Sequence, residues 1–194
     1  MISADTTFQV GDTVVYAMHG TGQIVDILTQ TVEGTAQDFY RIVLTEKRGQ
    51  VLVPVEEANP HGLRHPMQAS EVPQVIQQLQ QAATRSPRQR HPEDAYTWGK
   101  RRLREGQAAG LAEVRRFLHE LEQMESITTP HMRQLRTYVY TQLPAEIAQA
   151  LGDSQATADR LVDTALTSTR PIVLPTRSDN PGKRRKRPIK QSRP

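Results

Sequence analysis
The chain has 194 residues, 36% of them hydrophobic, no cysteine and a formal net charge of +4, a composition that fits one or two small globular domains with a polar end. Without cysteine there can be no disulfide, thiolate metal site or cysteine nucleophile, and no run of about 18 apolar residues is available to cross a membrane. The opening "MISADTTFQV" has neither the charged start nor the apolar stretch of a secretory signal, so the expected compartment is the cytoplasm.

Residues 1–66 read as strand and turn. "TVVYA", "GQIVDILTQTV", "DFYRIVLT" and "QVLVPV" are rich in β-branched and aromatic residues with apolar positions two apart, the pattern of half-buried strands. "HGTG", "EGTAQ" and "EKRGQ" separate them, each supplying a glycine for reversal. Four or five short antiparallel strands in so little chain are expected to curl into a small SH3-like barrel, which removes most exposed edges. Asp12 beside Gly11, with Gly20 and Gly22 before an apolar strand, is spacing of the kind found in Tudor-like barrels.

From Ser70 the period becomes helical. In "SEVPQVIQQLQQAATR", Ser70 is a candidate cap, Pro73 falls in the first turn, and Val72, Val75, Ile76 and Leu79 share a face. "RSPRQRHP" reads as a short linker. Later amphipathic segments carry Leu111, Val114, Leu118 and Leu121, then Met132, Leu135 and Val139 after "TTP". Ile147 and Leu151 follow Pro144 and stop at Gly152, and Leu161, Val162, Ala165 and Leu166 follow Ser154. The expected architecture is α+β: a Tudor-like barrel over 1–66, an all-helical domain over 70–168 and a disordered basic tail over 169–194.

The tail concentrates the positive charge. Residues 1–169 hold 16 Lys/Arg against 20 Asp/Glu, whereas 170–194 hold 9 against 1. "PGKRRKRPIKQSRP" lacks apolar residues to bury, so it cannot offset its ordering entropy. It reads either as a solubilising end or as a nonspecific phosphate-binding arm.

The one tryptophan lies in "AYTWGKRRLR", residues 95–104, among four basic side chains. On a helical wheel with Tyr96 at zero, Gly99 and Leu103 fall inward and Trp98 lies near roughly 200°, between Arg101 and Arg102. That reading turns Trp98 outward, framed by arginines, where its ring could stack on a base while the cations bind phosphate. The competing reading buries the ring against neighbouring helices and leaves the arginines solvated. Stacking returns about 1–3 kcal/mol per base and opening intact duplex costs a few kcal/mol, so such a wedge suits strands already parting.

Catalytic and metal signatures are weak. His61 and His65 are four apart but sit in the Pro/Gly loop "NPHGLRHP" with no third ligand close in sequence. "HGTG" lacks the glycine spacing and lysine of a phosphate loop, and the serines lack a nucleophile-elbow context. No enzyme activity, metal or cofactor is expected.

"FQVGDTVVYAMHGTGQIVDI" (8–27), "VLVPVEEANPHGLR" (51–64), "WGKRR" (98–102), "AEVRRFL" (112–118) and "SITTPHMRQLRTYVYTQLPAEIAQALG" (126–152), in that order, resemble the CarD/CdnL family of bacterial transcription regulators. The resemblance implies a Tudor-like domain that binds the β subunit of RNA polymerase and a helical domain that contacts promoter DNA at the upstream edge of the transcription bubble. It implies that Trp98 wedges into the minor groove and slows bubble collapse, with Lys100, Arg101 and Arg133 on the DNA-facing side and Arg102 beside them. Where relatives carry arginines on the polymerase-binding strands, this chain has Gln30 and Leu52. The expected polymerase contact therefore shifts to main-chain pairing along Val51, Leu52 and Val53. A nucleoid-associated monomer follows from this reading. The alternative is an adaptor whose barrel binds a protein, whose tryptophan is structural and whose tail alone touches nucleic acid.

Overall fold
The computed structural model describes residues 8–45, 49–81, 92–124, 129–168 and 172; the basic tail and most of the "RSPRQRHP" linker lie outside them. The N-terminal part is a five-stranded antiparallel sheet: β1 (Thr13–Tyr16), β2 (Gly20–Val32), β3 (Thr35–Leu44), β4 (Gln50–Pro54) and β5 (Leu63–Arg64), in the order β4-β3-β2-β1-β5. In a flat sheet β4 and β5 would stand about 19 Å apart. Here Val53 of β4 and Leu63 of β5 join Phe8, Val14, Ile24, Tyr40 and Ile42 in one buried cluster, so the sheet curls. A register shift between Ile24 and Asp26 inserts the extra residue that sharpens the twist of β2.

β3 begins at Thr35, earlier than the turn signal "EGTAQ" suggests. The hairpin needs only Glu33 and Gly34, both at positive φ (50° and 82°), the two-residue reversal whose twist matches paired strands. Both strands therefore run on to Val32 and Thr35.

Five helices follow: α1 (Val72–Gln80), α2 (Pro92–Arg104), α3 (Ala108–Glu122), α4 (Pro130–Leu151) and α5 (Gln155–Thr167). Thr129 and Ser154 cap α4 and α5, accepting from the Met132 and Thr157 amides at 3.2 Å, and Gly152 ends α4 at φ 65°. Ser70 is not the cap of α1: Glu71 precedes the helix, and its carboxylate accepts from the Gln68 amide at 2.8 Å. Nor does Pro144 start a helix. It lies buried inside α4, where the missing amide deprives only the Tyr140 carbonyl and the buried Leu143 and Ile147 hold the helix together.

The helices enclose one core that also takes in Ala17 from the sheet and Met67. The joint between the two parts is a buried ion pair. Arg64 on β5 donates two 2.7 Å hydrogen bonds to the Glu146 carboxylate on α4. That carboxylate, 1% exposed, also accepts from the Met67 amide and from the Gln142 side chain, which reaches Thr21 on β2. Four donors saturate its lone pairs. Burial works against the Arg64 charge, but the charge and hydrogen bonds of Glu146 outweigh it and raise the arginine above its ordinary pKa.

Glu146→Ala is expected to cost about 3–5 kcal/mol, because it leaves a buried guanidinium uncompensated. Urea unfolding measures this, and replacing both partners by Arg64→Met and Glu146→Leu should recover much of the loss.

Candidate functional site
α2 lies between α3 and α4, and its small residues set its orientation. Ala95, Gly99 and Leu103 are buried; a Cβ at Gly99 would come within 2.7 Å of Leu135 on α4, and one at Gly110 within 2.9 Å of the Arg102 carbonyl. Including Ala95 moves the buried stripe by about 30° toward Trp98 relative to a stripe drawn from Gly99 and Leu103 with Tyr96. Trp98 is consequently half-buried rather than fully outward, its ring centroid 4.8 Å from that of Phe117 on α3 at 56°. Neither reading of the tryptophan holds whole: Phe117 supports one side of the ring and part of the ring reaches the surface.

The basic residues around it part company. Arg101 is 72% exposed, 3.9 Å from Glu105. Arg102 is bound to Glu113 on α3 and to Glu105; the hydrogen bond it donates to Glu113, then the one it donates to Glu105, raises its pKa against partial burial. By donating to Glu113, the Arg102 guanidinium pins α2 to α3. Lys100 lies over the Tyr96 ring at 6.0 Å, and Tyr96 stacks on His131 of α4 at 5.3 Å.

Lys100 and Arg133 come together in a cleft of about 730 Å³ between the β1–β2 turn, α2 and α4. Arg104, which sequence reasoning did not select, lines the same cleft, as do His19 and His61. Among the described residues no carboxylate lines it. The i, i+4 spacing of Tyr96, Lys100 and Arg104 was the available signal, since it puts all three on one face of α2. The opposing wall is the face of α4 that repeats through Arg133, Thr137 and Thr141.

α4 is held against α3 by a second polar group of side chains. Glu122 accepts from Tyr140 and Arg136, and both Arg115 and Arg136 lie over the Tyr140 ring, at 3.5 and 4.5 Å. Burial and the Glu122 carboxylate push the Tyr140 hydroxyl up to about 12. Burial opposes the Glu122 charge, yet the bonds from Tyr140 and Arg136 hold its carboxyl below the usual range.

At the other end of the molecule β4 is an edge strand. The Leu44 amide donates to the Gly49 carbonyl and the Val55 amide to the Asp38 carbonyl. Because antiparallel bonding alternates between successive pairs, this phase turns the backbone groups of Val51 and Val53 toward β3 and those of Leu52 away from it. Val53 is buried, whereas the Leu52 side chain is 43% exposed. The expected contact strand is therefore an edge, with Leu52 facing out and Val51 and Val53 anchoring it. Gln30, paired with Gln37, is exposed in the β2–β3 ribbon.

Residues 8–65 match the family described as the CarD-like/TRCF RID domain. The N-terminal domain is a CarD-like/TRCF RID domain. The match spans β1 to β5 and ends one residue after Arg64, so the arginine of the joint is the RID domain's last strand residue. RID domains interact with RNA polymerase through its β subunit and are non-catalytic. The N-terminal part of the chain is thus similar to the domain that CarD-like RNA polymerase-interacting transcription factors carry. The five helices lie outside the match. No helix of the described residues is long and apolar enough to cross a membrane.

Trp98→Ala is expected to cost about 2 kcal/mol, roughly half of what emptying a fully buried aromatic site costs, as read by thermal unfolding. Glu122 contributes stability that is complete above about pH 4.5 and is lost as the pH falls through its lower folded value. Glu122→Gln should flatten that acidic limb of a stability-against-pH curve.

Proposed function
We propose that this protein regulates transcription by adding the β4 edge of its RID domain to the RNA polymerase β subunit and bracing the upstream edge of the open promoter bubble with α2 and α4. The observation that carries this reading is the buried Arg64–Glu146 joint, which ties the RID domain to a cationic helical surface. Polymerase binding then presents the helices to DNA at high effective concentration, so weak contacts suffice.

Trp98 serves as the wedge. Its packing on Phe117 holds the ring in place before DNA arrives, which reduces the ordering entropy lost on binding. Lys100, Arg101 and Arg133 contact phosphates, a sequence-independent attraction. Arg102, engaged by Glu113 and Glu105, positions α2 rather than reading DNA. The protein acts as a cytoplasmic, nucleoid-associated monomer with domains at 1–66 and 70–168, needs no cofactor and catalyses no reaction. The adaptor alternative draws on the same Trp98–Phe117 contact, taken as purely structural.

Two experiments test the reading. Leu52→Pro removes an outward amide without breaking the β3–β4 ladder; it is expected to weaken binding to the polymerase β subunit about tenfold while shifting stability by about 1 kcal/mol or less. Val53→Pro, which removes a ladder donor, should instead cost about 3 kcal/mol or more. In the second, competitor challenge of open promoter complexes should give a longer lifetime with wild-type protein than with folded Trp98→Ala, and Trp98→Phe should fall between them. An unchanged lifetime with wild type overturns the mechanism and leaves the adaptor.

A further inference from the structure
The cleft at the joint has a composition that duplex contact alone does not account for. It is concave, and its volume of about 730 Å³ lies inside the roughly 300–1,000 Å³ range of small-molecule sites. Lys100 and Arg104 approach from α2 and Arg133 from α4, three cations from two helices. With no carboxylate among its described lining residues, the cleft sums to a positive field that its low-dielectric walls focus.

Tyr16, His19 and Tyr96 add aromatic surface to the lining. Tyr16 stacks on His19 with centroids 4.4 Å apart and planes at 16°, and the Tyr96–His131 stack forms a second plate at 26°. Such stacked pairs are ordered in advance, so a base that packs against them need not fix a loose side chain. On α4, Gln134, Thr137 and Thr141 add an amide and two hydroxyls to the lining. Each hydroxyl donates to the carbonyl four residues back and keeps lone pairs that can accept.

Three cations, planar π surfaces and neutral hydrogen-bonding groups in one cleft match a polyanion joined to an aromatic heterocycle. We propose that this cleft binds a nucleoside polyphosphate, with Lys100, Arg104 and Arg133 on the phosphates and the aromatic plates against the base. The site stands on its own geometry; only its consequence rests on the function proposed above. If Lys100 and Arg133 brace promoter DNA, an occupied cleft withdraws them, and the ligand then regulates open-complex stability.

The test is calorimetric titration of the full chain, without divalent cation, using ATP, GTP and inorganic tripolyphosphate as probes. Saturable binding of at least one nucleotide below about 1 mM is expected, with tripolyphosphate about tenfold weaker because it has no base to stack. Arg104→Glu combined with Arg133→Glu should weaken the nucleotide more than about tenfold. Lys100→Gln, a milder change, should weaken it too, each variant first checked for an unchanged melting curve. Equal affinity of the double variant would assign binding to the basic tail, and equal affinity of tripolyphosphate would remove the base; either overturns the proposal, as does no saturable binding. None of these outcomes touches the Leu52→Pro or Trp98→Ala results, so failure here and failure of the DNA-bracing reading are told apart.

Discussion
A carboxylate with four donors, closed off from water, determines how the two halves of this protein meet. Arg64 and Glu146 form a bidentate pair between the last strand of the RID domain and the middle of α4, and Met67 and Gln142 complete it. Apolar residues of the same shape could stabilise such an interface as well, since desolvation offsets much of the Coulomb gain. What they would lack is direction. The fork of a guanidinium meets a carboxylate in one plane, so the pair specifies the angle at which β5 approaches α4 as well as their contact.

Around that joint, glycine decides how close the backbones come. Gly62, at φ 83°, has room for no side chain between Ala17 and the Arg104 backbone, which sets the sheet directly against the end of α2. Gly99 lets the Leu135 side chain of α4 close onto α2. Close approach brings Lys100, Arg104 and Arg133 to one cleft although they come from separate helices. Like charges gathered this way repel, and a bound anion would offset that repulsion.

The result is a protein with two differently built faces. The β4 edge offers main-chain groups of the kind an extended partner strand can pair with, with little demand on side-chain identity. The helical face offers cations and a tryptophan already seated on Phe117. In the proposed function the two faces act together, since binding at one would raise the local concentration at the other.

What the sequence by itself determined were features with local causes. Alternating apolar residues marked the strands, Thr129 and Ser154 marked helix starts, and Gly152 marked a stop, because each signal acts within a few residues. The CarD/CdnL resemblance was legible from five short stretches in order, two in the strands and turns and three in the helical part. The facing of α2 was not, since Ala95 is too small to mark a buried stripe until Gly99 is seen against Leu135. Pro144 suggested a boundary, but packing of the surrounding helix overrode its local cost. Only the tertiary structure decided that Arg64 meets Glu146, 82 residues away, that Arg102 is held by Glu113, and that Arg104 shares a cleft with Arg133. Those pairings depend on which backbones approach closely in space, and no periodicity along the chain encodes that distance.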